Sequence, residues 1–155
     1  MEPAPLHKNN MIQTLFTSNN KPTEKERKAI VDFLHTHLEK FRDTKEEINR
    51  SLTYVLQETP SAGGFILQLK ENTTLVCVVV VAKTGMSGFV PENLLVYIAT
   101  HNQYRGKGIG KQMTQKTIET AQGSLALHVE PDNPAKALYE SLGFTNKYLE
   151  MRYIK

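Results

Sequence analysis

Apolar residues in the first third of the chain recur at the spacing of an α-helix. Two capping-box patterns, Thr23-x-x-Glu26 and Thr44-x-x-Glu47, stand in front of the two apolar stripes. The sequence therefore predicts two amphipathic helices, the first reaching about Phe41 and the second ending in the turn-rich stretch 59–64. The residues expected to face inward are Ala29, Ile30, Phe33, Leu34, His37, Leu38 and Phe41 in the first helix, and Ile48, Leu52, Val55 and Leu56 in the second.

The middle of the chain changes to the short apolar runs that are typical of β-strands. Residues 65–70 alternate and meet the run 74–83 across a turn at 71–73, which predicts a hairpin. The run 74–83 is apolar at consecutive positions, so we expect its strand to be covered on both faces. A third strand is predicted over 94–100.

After residue 100 the patterns of helix and strand alternate. We predict a helix over 109–121 that stops near Gly123, a strand over 125–130, a helix from Asn133 to Leu142 and a closing strand over 144–153. This order predicts one α/β (α+β) domain over residues 1–155, with a mixed sheet and helices on both faces. Residues 1–20 are expected to form either a flexible start or the first strand.

Composition indicates an ordinary globular protein. Of 155 residues, 39% are apolar and 23% are charged, and 19 Lys and Arg against 16 Asp and Glu leave a net charge of only +3. That charge is too small and too dispersed to indicate nucleic-acid binding, and no segment is long enough to span a bilayer. We therefore expect a cytoplasmic protein with neither a nucleic-acid nor a membrane partner.

The single cysteine lies in the apolar run 75–81. One cysteine excludes an intrachain disulfide. A buried thiol in such a run usually behaves as a small hydrophobe, and the run lacks the cations that would activate a nucleophile. We therefore expect Cys77 to be a core residue.

The segment Tyr104-Arg105-Gly106-Lys107-Gly108-Ile109-Gly110-Lys111 carries the strongest chemical signal. Its three alternate glycines stand between a predicted strand and a predicted helix, where backbone N–H groups are left uncovered. Those N–H groups, the positive end of the helix and the cations of Arg105, Lys107 and Lys111 all favour a phosphate ligand, most plausibly a pyrophosphate.

Three kinds of glycine loop fit this region to different degrees. A Walker loop needs a Ser or Thr after its Lys, but Gln112 follows Lys111, so Mg²⁺ would lack its hydroxyl ligand. A dinucleotide fingerprint needs G-x-G-x-x-G rather than G-x-G-x-G, although Glu130 stands where a ribose-binding acid would be. A glycine-rich turn without a ligand is the third possibility.

A second segment decides between these possibilities. Arg105-x-x-Gly108-x-Gly110 is followed by Asn133 and then by Leu138-Tyr139-Glu140-Ser141-Leu142-Gly143-Phe144. Together the two segments resemble the GNAT superfamily of acyl-CoA-dependent N-acetyltransferases, whose pyrophosphate motif is [Q/R]-x-x-G-x-[G/A]. The resemblance covers residues 94–153 by motif and implies a mostly antiparallel mixed sheet of the GNAT type.

The resemblance implies acetyl-CoA as a co-substrate and no metal. By similarity, the backbone groups of Ile98 and Thr100 would bind the pantetheine amides, and Asn133 would touch the pantetheine arm or cap the next helix. The residues that would hold the pyrophosphate are Arg105, Gly106, Lys107, Gly108, Ile109, Gly110 and Lys111.

The resemblance also implies a general acid. Tyr139 matches the tyrosine that would contact the bound coenzyme and protonate the leaving thiolate, although its spacing alone fits packing on one helix face. Val96 stands where family members often have a glutamate base. Glu130, His128, Glu92 and His101 are possible substitutes. Because residues in a strand alternate, His128 and Glu130 are expected on one face, where either could act through a water.

The implied reaction moves an acetyl group from acetyl-CoA to a primary amine. The acceptor would be a small molecule or a peptide, and the protein a monomer or a homodimer. Two other functions are open: a non-catalytic protein that senses acyl-CoA, which the valine at position 96 favours, and a nucleotide-binding oxidoreductase domain.

Overall fold

The computed structural model describes residues 10–41 and 43–155, and these form one five-stranded sheet with four α-helices. Short 3₁₀ turns at Glu39–Phe41 and Asn102–Tyr104 interrupt the connections. In chain order the elements are β1 Met11–Phe16, α1 Glu24–His37, α2 Lys45–Val55, β2 Gly64–Glu71, β3 Thr74–Lys83, β4 Asn93–Thr100, α3 Ile109–Thr120, β5 Leu125–Leu127 and α4 Ala135–Ser141.

The sheet has the order β1-β2-β3-β4-β5. The first four strands pair antiparallel, and β5 pairs parallel with β4. The predicted hairpin is confirmed, since β2 and β3 pair across Asn72 and Thr73. The mixed, mostly antiparallel sheet expected from the sequence is therefore present.

Helices cover both faces of the sheet, as predicted. On one face, α1 and α2 pack on β2, β3 and β4 through a cluster that includes Ile30, Leu34 and Leu52. On the other face, α3 packs through Ile109 and Met113. Because β3 lies between the two layers, every side chain from Val76 to Val81 is fully buried, which confirms the expectation of a central strand and a buried Cys77.

Both predicted capping boxes form. The hydroxyl of Thr23 accepts from the backbone N–H of Glu26, and that of Thr44 accepts from the backbone N–H of Glu47. In each box the glutamate carboxylate accepts in turn from the backbone N–H of the threonine. The first helix ends at His37 rather than near Phe41, because the chain reverses through Glu39 at φ 54°. This left-handed residue separates α1 from the 39–41 turn.

The predicted closing strand over 144–153 is wrong. Among the described residues no strand follows β5, and the apolar side chains of this segment, such as Met151 at 91% exposure, face solvent. The segment alternates like a strand, but a strand is stable only when another strand lies beside it. Without such a neighbour its backbone gains no interstrand hydrogen bonds.

Three boundaries also differ from the prediction. β5 ends at Leu127 instead of residue 130, and α4 covers only Ala135–Ser141. At the start of the chain, the first-strand alternative is confirmed for Met11–Phe16, whereas residues 1–9 lie outside the described part. Of the described helices, none combines the length and the apolar character needed to cross a membrane.

Candidate active site

The last two strands of the sheet, β4 and β5, separate after a short stretch of pairing. β4 pairs with β5 only from Asn93 to Leu95, although β4 continues to Thr100. On its other side β4 stays paired with β3 throughout, with a bulge at Val96. Residues 96–100 therefore present an edge of β4 that no described strand covers.

The backbone groups at this edge follow from the antiparallel pattern. The N–H of His101 donates to the carbonyl of Val76 at 2.8 Å, so His101 and, by alternation, Ala99 direct their polar groups toward β3. Ile98 and Thr100 then direct theirs away from β3, into the gap beside β5. This is the orientation that pantetheine binding by Ile98 and Thr100 requires.

The glycine loop lies between this edge and α3. Gly106 and Gly108 have φ values of 79° and 78°, in the left-handed region that suits glycine. Gly108 is the N-cap of α3 and provides no side-chain cap, so the first N–H groups of the helix have no side-chain acceptor at that position. A Cβ at either glycine would meet no atom within 4 Å, so the space beside the loop is open.

Three of the predicted segments meet at Gly110. A Cβ placed there would lie 3.7 Å from Cδ1 of Leu138 in α4 and 3.9 Å from Oγ1 of Thr100 in β4. The same Thr100 hydroxyl lies 3.8 Å from Sγ of Cys77. The first turn of α3, the end of β4 and α4 are therefore next to one another.

Tyr139 follows Leu138 on α4 and points inward. Its side chain is 8% exposed, and its ring meets that of Phe144 edge-on at 5.7 Å between centroids. Burial, with a smaller contribution from Cys77, raises the pKa of Tyr139 to about 12. Among the described residues its hydroxyl has no hydrogen-bond partner. The phenol is therefore protonated at neutral pH and available to a ligand.

The guanidinium of Arg105 is bound by other groups of the protein. Its Nε donates to the carbonyl of Thr100 at 3.2 Å, and its two terminal nitrogens donate to the carbonyl of His37 at 2.7 Å and to the carboxylate of Glu39 at 3.0 Å. In this structure the guanidinium ties the end of α1 to the end of β4. Its predicted contact with pyrophosphate stays a prediction.

The two predicted lysines differ in position. Lys107 lies over the ring of Tyr104, with Nζ 5.5 Å from the centroid, whereas Lys111 is exposed on the first turn of α3. Both are within the segment that the motif assigns to the pyrophosphate.

Asn133 has a local structural role. Its side-chain oxygen accepts from the backbone N–H of Ala135 at 2.9 Å, which satisfies a donor at the start of α4, although Pro134 is the residue in the N-cap position. The expected capping function is thus carried by an Asx-type turn.

Three of the residues considered as the general base are His128, Glu130 and Glu92. Because β5 ends at Leu127, His128 and Glu130 lie in the connection beyond it, and both side chains are exposed. The premise that strand alternation places them on one face is therefore wrong. Glu92 is occupied by the backbone N–H groups of Gly88 and Ser124, which lower the pKa of its carboxyl.

The structure shows one acid–phenol pair that sequence patterns did not indicate. Tyr97, next to the bulge at Val96, donates its hydroxyl to Asp43 in the connection between α1 and α2. Burial and the nearby carboxylate raise the pKa of Tyr97 above its ordinary value, so the phenol remains the donor. No spacing rule links residues 54 positions apart, so only the fold could bring them together.

The sequence patterns also gave no indication that two histidines, His37 and His101, are in contact. The rings of His37 and His101 lie 4.4 Å apart between centroids, at the junction of α1 and the 102–104 turn. The periodicity assigned His37 to the inner face of the first helix and the resemblance offered His101 as a base, but neither pattern could show that they touch.

Comparison with known proteins assigns the family. A family model described as an acetyltransferase (GNAT) domain matches residues 63–146, more than half of the chain. The protein belongs to the GNAT acetyltransferase family. The match covers β2 to the residues after α4, which is the part that contains the uncovered edge, the glycine loop and Tyr139.

Solved structures with the same fold act on different kinds of acceptor. The chain is 19% identical to the ribosomal-protein-S18-alanine N-acetyltransferase of Escherichia coli (TM-score 0.63, 86% of this chain and 78% of that one). It is 18% identical to a chain of the NatC complex bound to Gag peptide and CoA (TM-score 0.67, 88% of this chain and 85% of that one). It is 19% identical to an aminoglycoside acetyltransferase from an uncultured soil metagenomic sample (TM-score 0.62, 94% of this chain and 98% of that one).

These identities are low enough that the structural likeness shows the GNAT fold alone. A search of curated protein sequences found no match. The comparisons therefore support an acetyltransferase and leave its acceptor to be inferred from the site.

Proposed function

We propose that this protein transfers the acetyl group of acetyl-CoA to a primary amine by direct attack, with Tyr139 protonating the leaving CoA thiolate. The observation that carries the proposal is the uncovered β4 edge ending at a glycine loop. In this arrangement Ile98 and Thr100 bind the pantetheine amides, and the loop 105–111 with the first turn of α3 binds the pyrophosphate. Asn133 lies at the start of α4, beside the pantetheine path.

The reaction forms one bond and breaks another. The amine nitrogen attacks the thioester carbonyl carbon, the new C–N bond forms, and the C–S bond breaks with its electron pair on sulfur. The nitrogen loses one proton, and the sulfur gains one. The site must therefore provide a path for each proton.

Tyr139 donates the proton that the sulfur gains. In water a phenol near pKa 10 would hold its proton against a thiolate near pKa 8.5. Burial changes the comparison, because it raises the pKa of a thiol as well: the thiol of the buried Cys77 reaches about 12, equal to the value for Tyr139. We propose that a CoA thiolate formed beside Tyr139, away from water, becomes more basic for the same reason and accepts the phenol's proton as charge develops.

The nitrogen's proton must leave before or during attack, since a free alkylammonium near pKa 10.4 is almost fully protonated at neutral pH. Val96 supplies no carboxylate. We propose that His128 or Glu130 takes this proton through a water, because both side chains are exposed and follow directly after β5, the strand that leaves β4.

Steady-state turnover tests the acid role. We expect Tyr139→Phe to lower kcat by roughly 10²-fold or more, since a positioned general acid is worth about that much, while the affinity for coenzyme A changes little. Tyr54→Phe is the matched control, because its hydroxyl donates to the Lys83 carbonyl, on the strand beyond the site, at 2.6 Å. Equal kcat for Tyr139→Phe and wild type would refute the assignment.

A sensor of acyl-CoA without turnover is the second candidate, and the valine at position 96 favours it. A panel of small amines and peptides with free amino groups, assayed for thiol release from acetyl-CoA, separates the two. Tight binding of coenzyme A with no thiol release on any amine would favour the sensor.

A further inference from the structure

Two histidines hold the turn that leads into the glycine loop. The backbone N–H of Asn102 donates to Nδ1 of His37, at the end of α1, with 3.3 Å between the atoms. The N–H of the next residue, Gln103, donates to Nδ1 of His101 at 3.1 Å. Two consecutive backbone donors in the 102–104 turn therefore end on imidazole nitrogens.

These contacts require neutral rings. An imidazole accepts at Nδ1 only in the tautomer that carries its proton on Nε2. When the ring is protonated, Nδ1 carries a hydrogen and faces a second donor, so the bond is lost. Protonation of either ring thus removes the acceptor of the backbone N–H group that it binds.

The surroundings of the pair disfavour charge on it. The two rings are 4.4 Å apart, and Phe33 covers the other side of His37 at 4.6 Å. Burial, then His101 and Arg105, lower the pKa of His37, and Glu39 opposes them. Two cations this close to each other and to the guanidinium would repel.

Two carboxylates near the pair, those of Glu71 and Asp32, each bind another group. Tyr104, edge-on to His101 at 5.5 Å, donates to Glu71 at 3.0 Å. Asp32 and Lys70 line an open groove of about 320 Å³ beside His101. Within that groove Asp32 is paired with Lys45 at 3.0 Å, so its carboxylate does not offset a charge on the histidines.

The same contacts connect to the cofactor site. The 102–104 turn is followed directly by Arg105 and Gly106, and Arg105 binds both the His37 carbonyl and the Thr100 carbonyl. A shift of the turn would move the loop glycines and one of the two backbone groups expected to bind pantetheine.

We propose that His37 and His101 are positioning residues that, only in their neutral form, hold the glycine loop in the geometry that binds coenzyme A. The proposal rests on the proposed function, since coenzyme A is its ligand. Mildly acidic pH should therefore weaken coenzyme A binding.

The direction follows from the pKa of His37, which lies below its ordinary value of 6.5 in the folded protein. The acceptor bonds are fully present above that ordinary value and are lost as the pH falls through the lowered pKa. The contribution of His37 is thus confined to the acid side of pH 6.5.

Calorimetric affinity for coenzyme A at about pH 7.5 and about pH 5.5 tests the proposal. Wild type should bind roughly five- to tenfold more weakly at the lower pH, the effect of losing one to two ordinary hydrogen bonds. In the double variant His37→Asn/His101→Asn, each amide oxygen replaces an Nδ1 acceptor and does not titrate. The ratio of the affinity at the higher pH to that at the lower pH should therefore fall to about one-half of the wild-type ratio or less. His35→Asn, on the same helix, should keep the wild-type ratio.

Titration of the phosphates of coenzyme A affects all variants equally, so the comparison of ratios removes it. An unchanged ratio in the double variant would overturn the proposal. A second measurement needs no ligand: the amide resonance of Asn102, whose acceptor is Nδ1 of His37, should titrate in the wild-type protein with a midpoint below pH 6.5. An Asn102 resonance that stays fixed through this range would also overturn the proposal.

The two proposals fail differently. If wild type does not bind coenzyme A at about pH 7.5, the proposed function fails, whereas the amide titration still decides whether the histidines hold the turn. If binding is tight and independent of pH, only the role of the histidines is refuted.

Discussion

At the residue scale, Gly108 is the position where backbone conformation matters most. It starts α3 at φ 78°, and the space around its Cα is open. A side chain would therefore meet no clash, and its whole cost would be the left-handed backbone. Gly110, in the first turn of the same helix, has no such conformation and makes only ordinary contacts.

We expect Gly108→Ala to lower the free energy of unfolding by about 1 kcal/mol, the usual cost of a left-handed L-residue. Gly110→Ala should cause no loss, because alanine is the better helix former. Urea denaturation of the ligand-free proteins measures both. Equal losses in the two variants would contradict the backbone argument.

Residue identity predicted the site only where local spacing was sufficient. The alternate glycines and the Tyr139-Glu140-Ser141-Leu142-Gly143-Phe144 segment located the loop and the candidate acid without a structure. The partners of Arg105 were not predictable, because Glu39 stands 66 positions earlier and approaches only after α1 has packed on the sheet. Tyr97 and Asp43 were missed for the same reason.

At the scale of elements, the two capping boxes decide where α1 and α2 begin. In each box a threonine hydroxyl and a glutamate carboxylate satisfy backbone donors that would otherwise face solvent at the helix start. Both helices place large buried residues such as Leu34 and Leu52 on the sheet, so their starting points set the register of that layer.

We expect Thr23→Ala and Thr44→Ala each to cost about 1 kcal/mol in unfolding free energy, as is typical for the loss of an N-cap hydroxyl. Thr120→Ala provides the control, because that hydroxyl only donates back to the Lys116 carbonyl in the last turn of α3. Thermal denaturation of the three variants checks the order. A control that destabilises as much as the caps would refute the capping argument.

Element boundaries were predicted well where a stop signal was present. The boxes fixed two helix starts, and the 71–73 turn fixed the hairpin. The strand over 144–153 was predicted wrongly because alternation reports only that a segment can pair, whereas pairing needs an adjacent edge. The early end of β5 has the same origin, since its length depends on where β4 diverges.

At the scale of the whole molecule, the last eleven residues are outside the packed layers. Residues 145–155 are all exposed, and within the described part of the chain their only ion pair is internal, between Arg152 and Glu150. Phe144, by contrast, contacts Tyr139. The fold described here should therefore not depend on the segment that follows Phe144.

We expect a chain ending at Phe144 to keep its cooperative unfolding, with a free energy within about 0.5 kcal/mol of wild type, as is usual for changes to exposed residues without special contacts. Urea denaturation checks this, and coenzyme A affinity should also be retained. Loss of the cooperative transition would show that the segment contributes to the core.

At the scale of the whole molecule, the sequence predicted a mixed sheet with helices on both faces, and the family resemblance implied that backbone groups of Ile98 and Thr100 are free to bind a ligand. A run such as Leu94–Ile98 is typical of one continuous strand, and nothing in it marks where the neighbouring strand leaves. Only the register shows that pairing with β5 stops at Leu95. The exact start of the uncovered edge therefore had to come from the fold.

Amide hydrogen exchange along β4, with and without coenzyme A, tests the central claim most directly. Without ligand, the N–H groups of Ala99 and His101 should be protected by β3, and those of Ile98 and Thr100 should exchange fast. Coenzyme A should slow Ile98 and Thr100 by roughly tenfold or more, as new hydrogen bonds form, and change Ala99 little. Exchange at Ile98 and Thr100 that is unchanged by saturating coenzyme A would contradict the account.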